Sequence, residues 1–320
     1  MPFNNFIRFS NQLKSSLLII LGIFCISGIY SLPSHAFPIY AQQAYNNPRE
    51  ATGRIVCANC HLAQKPVQIE APKAVLPNTV FEAVVKIPYD TQFQQVLGGG
   101  TKGSLNVGAV VILPKGFKLA PSNMLSEEIK AKTKGVYIQP YSTDKDNILV
   151  VGPIPGDKNK EIVFPILSPD PSKDKNSYFL KYPVFVGGNR GRGQIYPTGE
   201  KTNNNQVVSS TAGKITDIQA LDKGGYTVNI LKNNQDSITE SVPKGLNLLV
   251  KAGDNVSVDQ ALTQDPNVGG FGQNETEIVL QSPARVKGMI AFLVAVTIAQ
   301  IFFVLKKKQW EKVQAAEINF

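Results

Sequence analysis

Cys57-Ala58-Asn59-Cys60-His61 constrains this chain more than any other feature: two thiols three residues apart, followed at once by an imidazole, form the attachment pattern of a c-type haem. One helical turn puts residues i and i+3 on the same face, so both sulfurs can reach the two vinyl groups along one porphyrin edge. His61 then lies beneath the ring and can give a nitrogen to the iron. The same thiols could instead be a redox dithiol or half of a zinc site. A zinc site needs a second Cys or His pair, and a thioredoxin-like motif should open a helix in a βαβ pattern; the downstream sequence has neither.

The termini narrow the ligand set. Residues 1–36 carry Arg8 and Lys14, an apolar run from Leu17 to Cys25, and then Ser34-His35-Ala36, a small-x-small cleavage pattern. This reads as a secretory signal. Cleavage after Ala36 removes Cys25 and His35, leaving Cys57, Cys60 and His61 as the only Cys and His of the mature protein. Left uncleaved, the run would serve as an N-terminal anchor.

At the other end, residues 288–305 run for 18 positions without a charge, close to the roughly 20 needed to cross a bilayer. Lys306-Lys307-Lys308 follows, and basic residues stay on the cytoplasm-equivalent side, so residues 37 to about 286 are expected on the translocated side. The expected plan has 287–306 as the transmembrane anchor and 307–320 as a short stromal or cytoplasmic tail. The formal charge of +9 overstates how basic the working domain is: without the leader and residues 287–320 it holds 26 basic and 22 acidic side chains, a net of +4. That is too mild for a nucleic-acid footprint, but enough to steer an acidic partner where lysines cluster.

Between the termini the pattern is strand after strand. Apolar and β-branched runs at 80–87, 107–113, 147–151, 162–166 and 178–186 alternate with turn clusters such as Pro155-Gly156-Asp157-Lys158, which predicts a mainly β fold with a β-sandwich. A polar loop at 201–206 marks a break. Beyond it, Leu248 to Leu262 resembles the hammerhead strands of small lipoyl-type barrels, but Asp222-Lys223 precedes the Gly-Asp turn instead of following it and runs into Gly224-Gly225, so a small barrel-like β domain without lipoylation is expected there. A returning strand at 275–280 leads to the anchor. The glycine-rich stretch 187–193 follows a strand and lacks a Lys-Ser/Thr ending, so tight turns beside the haem are expected rather than a phosphate loop.

A haem held by one histidine leaves its other face to be filled. Met124 is the only methionine between leader and anchor, and its context, Pro121 to Glu128, looks like a helix start capped by Ser122 or Asn123. Signal cleavage creates a second candidate, the freed α-amino group of Phe37, whose ordinary pKa near about 8 lets a metal displace its proton. Spacing does not choose between them.

Phe37-Pro38-x-Tyr40-Ala41-Gln42 at a new terminus, Cys-Ala-Asn-Cys-His 20 residues on, Gly187 to Pro197, Asn267 to Gln273 and the anchor running into Lys-Lys-Lys-Gln together resemble the cytochrome f family across essentially the whole chain. The resemblance implies one covalently bound haem c on Cys57 and Cys60, His61 as proximal iron ligand and the α-amino nitrogen of Phe37 as the sixth. It implies a large lumenal haem-bearing β domain, 37–204 with 268–286, and a small one, 205–267. Tyr196 would lie near the haem, Gln95, Asn189, Gln194 and Asn204 would line a buried water chain, and Lys102, Lys223 and Lys244 would dock the acceptor. The implied role is a single-pass thylakoid electron-transfer subunit, not itself an enzyme, within a plastoquinol-plastocyanin reductase. It would take electrons from a Rieske iron-sulfur protein beside cytochrome b6 in the cytochrome b6f complex, and pass them to plastocyanin or a soluble c-type cytochrome.

The rival from another class is a haem enzyme or gas sensor with an open sixth position. Such sites usually carry a distal His or Arg, and the mature chain has no second histidine. A purely structural assembly subunit is the third reading.

Overall fold

The computed structural model describes residues 39–232 and 236–318. The expected leader, 1–36, and Phe37 lie outside the described residues. The strand Val80–Lys86 shows why the fold is β: its side chains alternate, and Phe81, Ala83 and Val85 are buried while Glu82 and Val84 are not. It pairs antiparallel along its whole length with Glu161–Leu167, which buries Ile162, Phe164 and Ile166. Gln68–Glu70 and Lys118–Leu119 flank this pair to complete a four-stranded sheet.

A six-stranded sheet faces it, in the order Ala74–Val75, Gly270–Leu280, Lys181–Arg190, Asn106–Ile112, Lys145–Pro155, Ile138–Ser142. Val107, Ala109, Val111, Leu149, Val184, Val186 and Ile278 from this sheet meet Phe81, Val85, Ile162 and Phe164 from the other in one core, the arrangement of a β-sandwich. Asn106–Ile112 is unusual in burying Val107 to Val111 without a break, and such a run signals a strand covered on both faces. The second cover comes from the N-terminal segment: Ile55, Ala41, Cys57 and Ala58 pack against Val110, Tyr141, Ile148, Val150 and Phe271 of the sheet. The haem motif therefore lies on the outer face of this sheet.

Three expectations change. Residues 187–190, expected as turns, continue the strand Lys181–Arg190, and the chain turns only at Gly191, where φ is +74°. Their glycines serve close packing: a Cβ on Gly187 would lie 2.7 Å from the Phe271 ring, and one on Gly188 2.8 Å from Val67 Cγ2. The returning strand begins at Gly270, not at 275, because Gly270 to Gln273 pair with Gly187 to Arg190. The helix after Met124 runs over Glu127–Lys132 and is capped by Ser126, whose Oγ accepts from Ile129 N at 3.3 Å; Ser122–Met124 is a separate 3₁₀ turn.

A third sheet, in the order Ser237–Val242, Tyr226–Leu231, Gly213–Ala220, Asn255–Val256, builds its own core from Ile215, Val228, Ile230, Val242, Val250 and Leu262. Val96, from the two-stranded ladder of Gln95–Val96 with Lys102–Gly103, is buried in the same core. The final helix, Pro283–Ile318, is 36 residues long, apolar enough to cross a membrane by length and composition, and continues through the lysine triplet into the expected tail.

Because Gly188 has no room for a side chain, Gly188→Ala should destabilise the protein by about 1–3 kcal/mol, read as a lower midpoint of guanidinium unfolding. An unchanged midpoint would mean that Val67 and Ile87 give way freely.

Candidate haem-attachment site

The motif folds as a 3₁₀ turn, Val56–Asn59, in which Cys57 O accepts from Cys60 N at 3.2 Å and His61 N at 3.0 Å. Ile55, buried against Val110, Ile148, Val150 and Phe271, fastens it to the sheet, and Val56 is buried beside it. Gln273 reaches across from Gly270–Leu280, its Oε1 accepting from Ile55 N at 2.9 Å while its Nε2 donates to Gly53 O at 3.1 Å. Arg49 stacks 3.7 Å over the Phe185 ring and fixes the preceding loop.

His61 is bracketed by the segment after Gly191. Gln194 N donates to Cys60 O at 2.7 Å, and Gln194 Oε1 accepts from Leu62 N at 2.9 Å. A Cβ on Gly193 would stand 3.0 Å from Cys60 O, so a bare backbone is needed for this approach. Asn189 Nδ2 lies 3.2 Å from His61 Nε2, and the other ring nitrogen, Nδ1, is buried without a hydrogen-bond partner. Burial pushes the imidazole down to about 4, which keeps it neutral, the form that can donate a lone pair to a metal. Burial also pushes the Cys57 thiol up to about 12 and raises that of Cys60, although both side chains keep some exposed surface. A redox dithiol needs the opposite shift. Neither thiol is in a disulfide, and among the described residues no group of three His, Cys, Asp or Glu comes together to hold a metal ion. Two unpaired thiols on one turn beside a neutral, half-satisfied imidazole fit covalent haem attachment and do not fit zinc.

The expected polar residues gather around this turn. Gln95 Oε1 accepts from Arg192 N at 2.8 Å, Asn204 Nδ2 donates to Arg192 O at 2.8 Å, and Gln194 Nε2 donates to Asn204 O at 3.4 Å. Gln95, Gln194 and Asn204 are buried, and Asn204 Oδ1 has no partner. Tyr196 lies two residues beyond the Gln194 clamp, held by Glu200 O at 2.8 Å. Sequence reasoning missed Asn267, whose Oδ1 accepts from Asn204 Nδ2 at 3.3 Å. It also missed Arg190, which is completely buried, donates through Nη2 to Pro66 O, and leaves Nε and Nη1 unpaired. Burial lowers its guanidinium to about 10, still charged at neutral pH. An arginine in a glycine-rich stretch gives no sign of being buried.

The chain just after Phe37 is tied to the same place. The helix Ile39–Ala44 is held by the Tyr141 hydroxyl, whose single proton is shared between Ala41 O and Tyr45 O, each 2.6 Å away, and by Gln42 Nε2, which donates to Tyr141 O at 2.7 Å. Met124 is 39% exposed. It belongs to the other layer: the helix that follows it ties Lys132 to Glu82 on the outer face of the four-stranded sheet at 3.0 Å.

The segments that carry the three lysines come together. A Cβ on Gly100 would meet Lys244 Cγ at 2.6 Å, and one on Gly224 would meet Lys244 Cδ at 2.8 Å. The Lys244 stem thus lies between the neighbours of Lys102 and Lys223, and all three lysines are exposed.

A haem-attachment turn seated on a β-sandwich, with one C-terminal helix able to span a membrane, defines a c-type cytochrome of the anchored, β-sheet kind. Profiles described as "Apocytochrome F, N-terminal" and "Apocytochrome F, C-terminal" match residues 37–191 and 203–320. Cytochrome f of Gracilaria tenuistipitata var. liui is 68% identical over 309 residues, covering 97% of this chain and all of the relative. That of Porphyra purpurea is 67% identical over 316 residues, covering 99% and 98%. That of Chlorella vulgaris is 59% identical over 316 residues, covering 98% and 99%. The chain belongs to the cytochrome f family. Membership implies a c-type haem, an electron-transfer role and a place in the cytochrome b6f complex.

Burial holds the Tyr141 hydroxyl up at about 12, against an ordinary 10.0. A raised folded value means the docking it supports is fully present below pH 10 and is lost as pH rises through about 12. Amide exchange should therefore show protection of residues 39–45 failing between those limits, and Tyr141→Phe should lack that protection at every pH. Equal protection in the two proteins would mean that the hydroxyl does not hold the helix.

Proposed function

We propose that this chain carries single electrons through one haem held covalently by Cys57 and Cys60, with His61 and the α-amino nitrogen of Phe37 as axial ligands. The observation that carries the reading is the buried, neutral His61 on the same turn as two unpaired thiols. The haem supplies a ferric/ferrous one-electron couple; the protein supplies position. Gln194 and Gly193 fix the peptides on both sides of His61, Asn189 orients its ring, and Tyr141 holds the helix that starts two residues after Phe37 close to Cys57. This tethering of 39–45 supports the amine over Met124, which lies in the other layer. The polar cluster of Gln95, Asn189, Gln194 and Asn204 would line a water chain, and Tyr196 would lie beside the haem.

The separate cores support a large β domain, 37–204 with 268–286, and a small domain, 205–267. The helix supports a single-pass thylakoid protein with both domains in the lumen, the anchor at 287–306 and the tail, 307–320, across the membrane. Electrons would arrive from a Rieske iron-sulfur protein, beside cytochrome b6, and leave to plastocyanin or a soluble c-type cytochrome. Lys102, Lys223 and Lys244, carried on segments that meet at the Lys244 stem, would steer that acceptor.

Oxidation of the reduced protein by an acidic acceptor should slow with rising salt. Replacing the three lysines by glutamine should cut the low-salt rate about tenfold or more and flatten the salt dependence. A rate indifferent to salt would contradict the steering role. The reduced native protein should also bind carbon monoxide slowly or not at all; rapid binding would restore the reading of an open sixth position.

A further inference from the structure

Large apolar side chains are exposed at one end of the sandwich. Leu76 is 47% exposed, Tyr178 60% and Leu180 54%. They are held in place. Phe179 packs on the sandwich core, so its two neighbours face outward, and the Tyr182 hydroxyl pins the Tyr178 backbone, accepting from its N at 3.0 Å and donating to its O at 2.8 Å.

These residues surround the point where the chain leaves the sheet. Leu280, the last residue of its strand, pairs with Val75 on one side, next to Leu76, and its N donates to Leu180 O at 3.0 Å on the other. The long helix begins three residues later, at Pro283. Its uncharged stretch starts at Gly288, so residues 283–287 rise about 7–8 Å. That matches the headgroup layer of one leaflet, roughly 5–8 Å. Arg285 and Lys287 lie in this first stretch, where long basic side chains favour the interface. The end of the sheet then meets the outer headgroups, and tyrosine is a residue type enriched at that depth.

We propose that Leu76, Tyr178 and Leu180 form an apolar rim that rests in the headgroup layer of the bilayer entered by the C-terminal helix, so that the lumenal body is seated on the lipid surface. The proposal rests on the helix being a membrane anchor.

The full-length haem protein, reconstituted in phosphatidylcholine vesicles containing nickel-chelating headgroups, tests it by nitroxide relaxation. Spin labels are placed by Leu180→Cys at the rim, Phe292→Cys in the span, and Lys158→Cys at the opposite end of the sheet, beside Pro155, which pairs with Asn106. The expected result is strong relaxation at 180 by headgroup nickel, little at 158, and relaxation at 292 by oxygen rather than by soluble nickel chelate. If 292 behaves so but 180 matches 158, the rim stands clear of the lipid and the proposal fails while the anchor reading holds. If 180 is shielded from both headgroup and soluble nickel, a protein surface covers it, and the proposal again fails. Free access of soluble nickel to 292 would overturn the anchor reading itself.

Discussion

The whole site depends on one seating: the Cys57–His61 turn laid on the outer face of the six-stranded sheet. A 3₁₀ turn of four residues has too few internal hydrogen bonds to hold its shape alone. Its order comes from Ile55, packed on the sheet just before it, and from Gln194, which takes the peptides on both sides of His61. Without those contacts the two thiols and the imidazole would share a sequence motif but not a geometry.

The seating also accounts for the central strands. Asn106–Ile112 and Lys145–Pro155 are apolar on both faces because the sandwich core lies on one side and the motif with its N-terminal helix on the other. Burial there has a chemical result: it keeps His61 neutral and the Cys57 thiol protonated until something bonds to them. The strand Lys181–Arg190 links the two ends of the six-stranded sheet. Asn189 touches His61 at one end, and Lys181 pairs beside the exit to the long helix at the other. Ten residues at about 3.3 Å each hold the site roughly 30 Å from where the chain leaves the sheet.

Much of this was legible in the sequence because it rests on local pattern. Val80–Lys86 alternates as a half-buried strand must, the thiol-imidazole motif carries its spacing in five residues, and the uncharged run after Lys287 needs only counting. What was hidden depends on partners far away in the chain. Gln273 binds Ile55 across 218 positions, and Tyr141 holds Ala41 across 100; neither residue differs in sequence from a surface glutamine or tyrosine. Gly187 and Gly188 looked like turn residues because glycine signals both turns and close packing, and only the neighbours Phe271 and Val67 decide between them. The burial of Arg190 could not be read from its flanks either: it is a property of the sandwich end.

The intact mass of the mature protein, purified from the membrane and denatured before measurement, tests the central claim most directly. The expected value is that of residues 37–320 plus one haem, which would show covalent attachment and a free amine at Phe37 in a single number. A mass without haem would contradict attachment through Cys57 and Cys60, and a terminus elsewhere than Phe37 would remove the proposed sixth ligand and leave Met124 as the side chain to test.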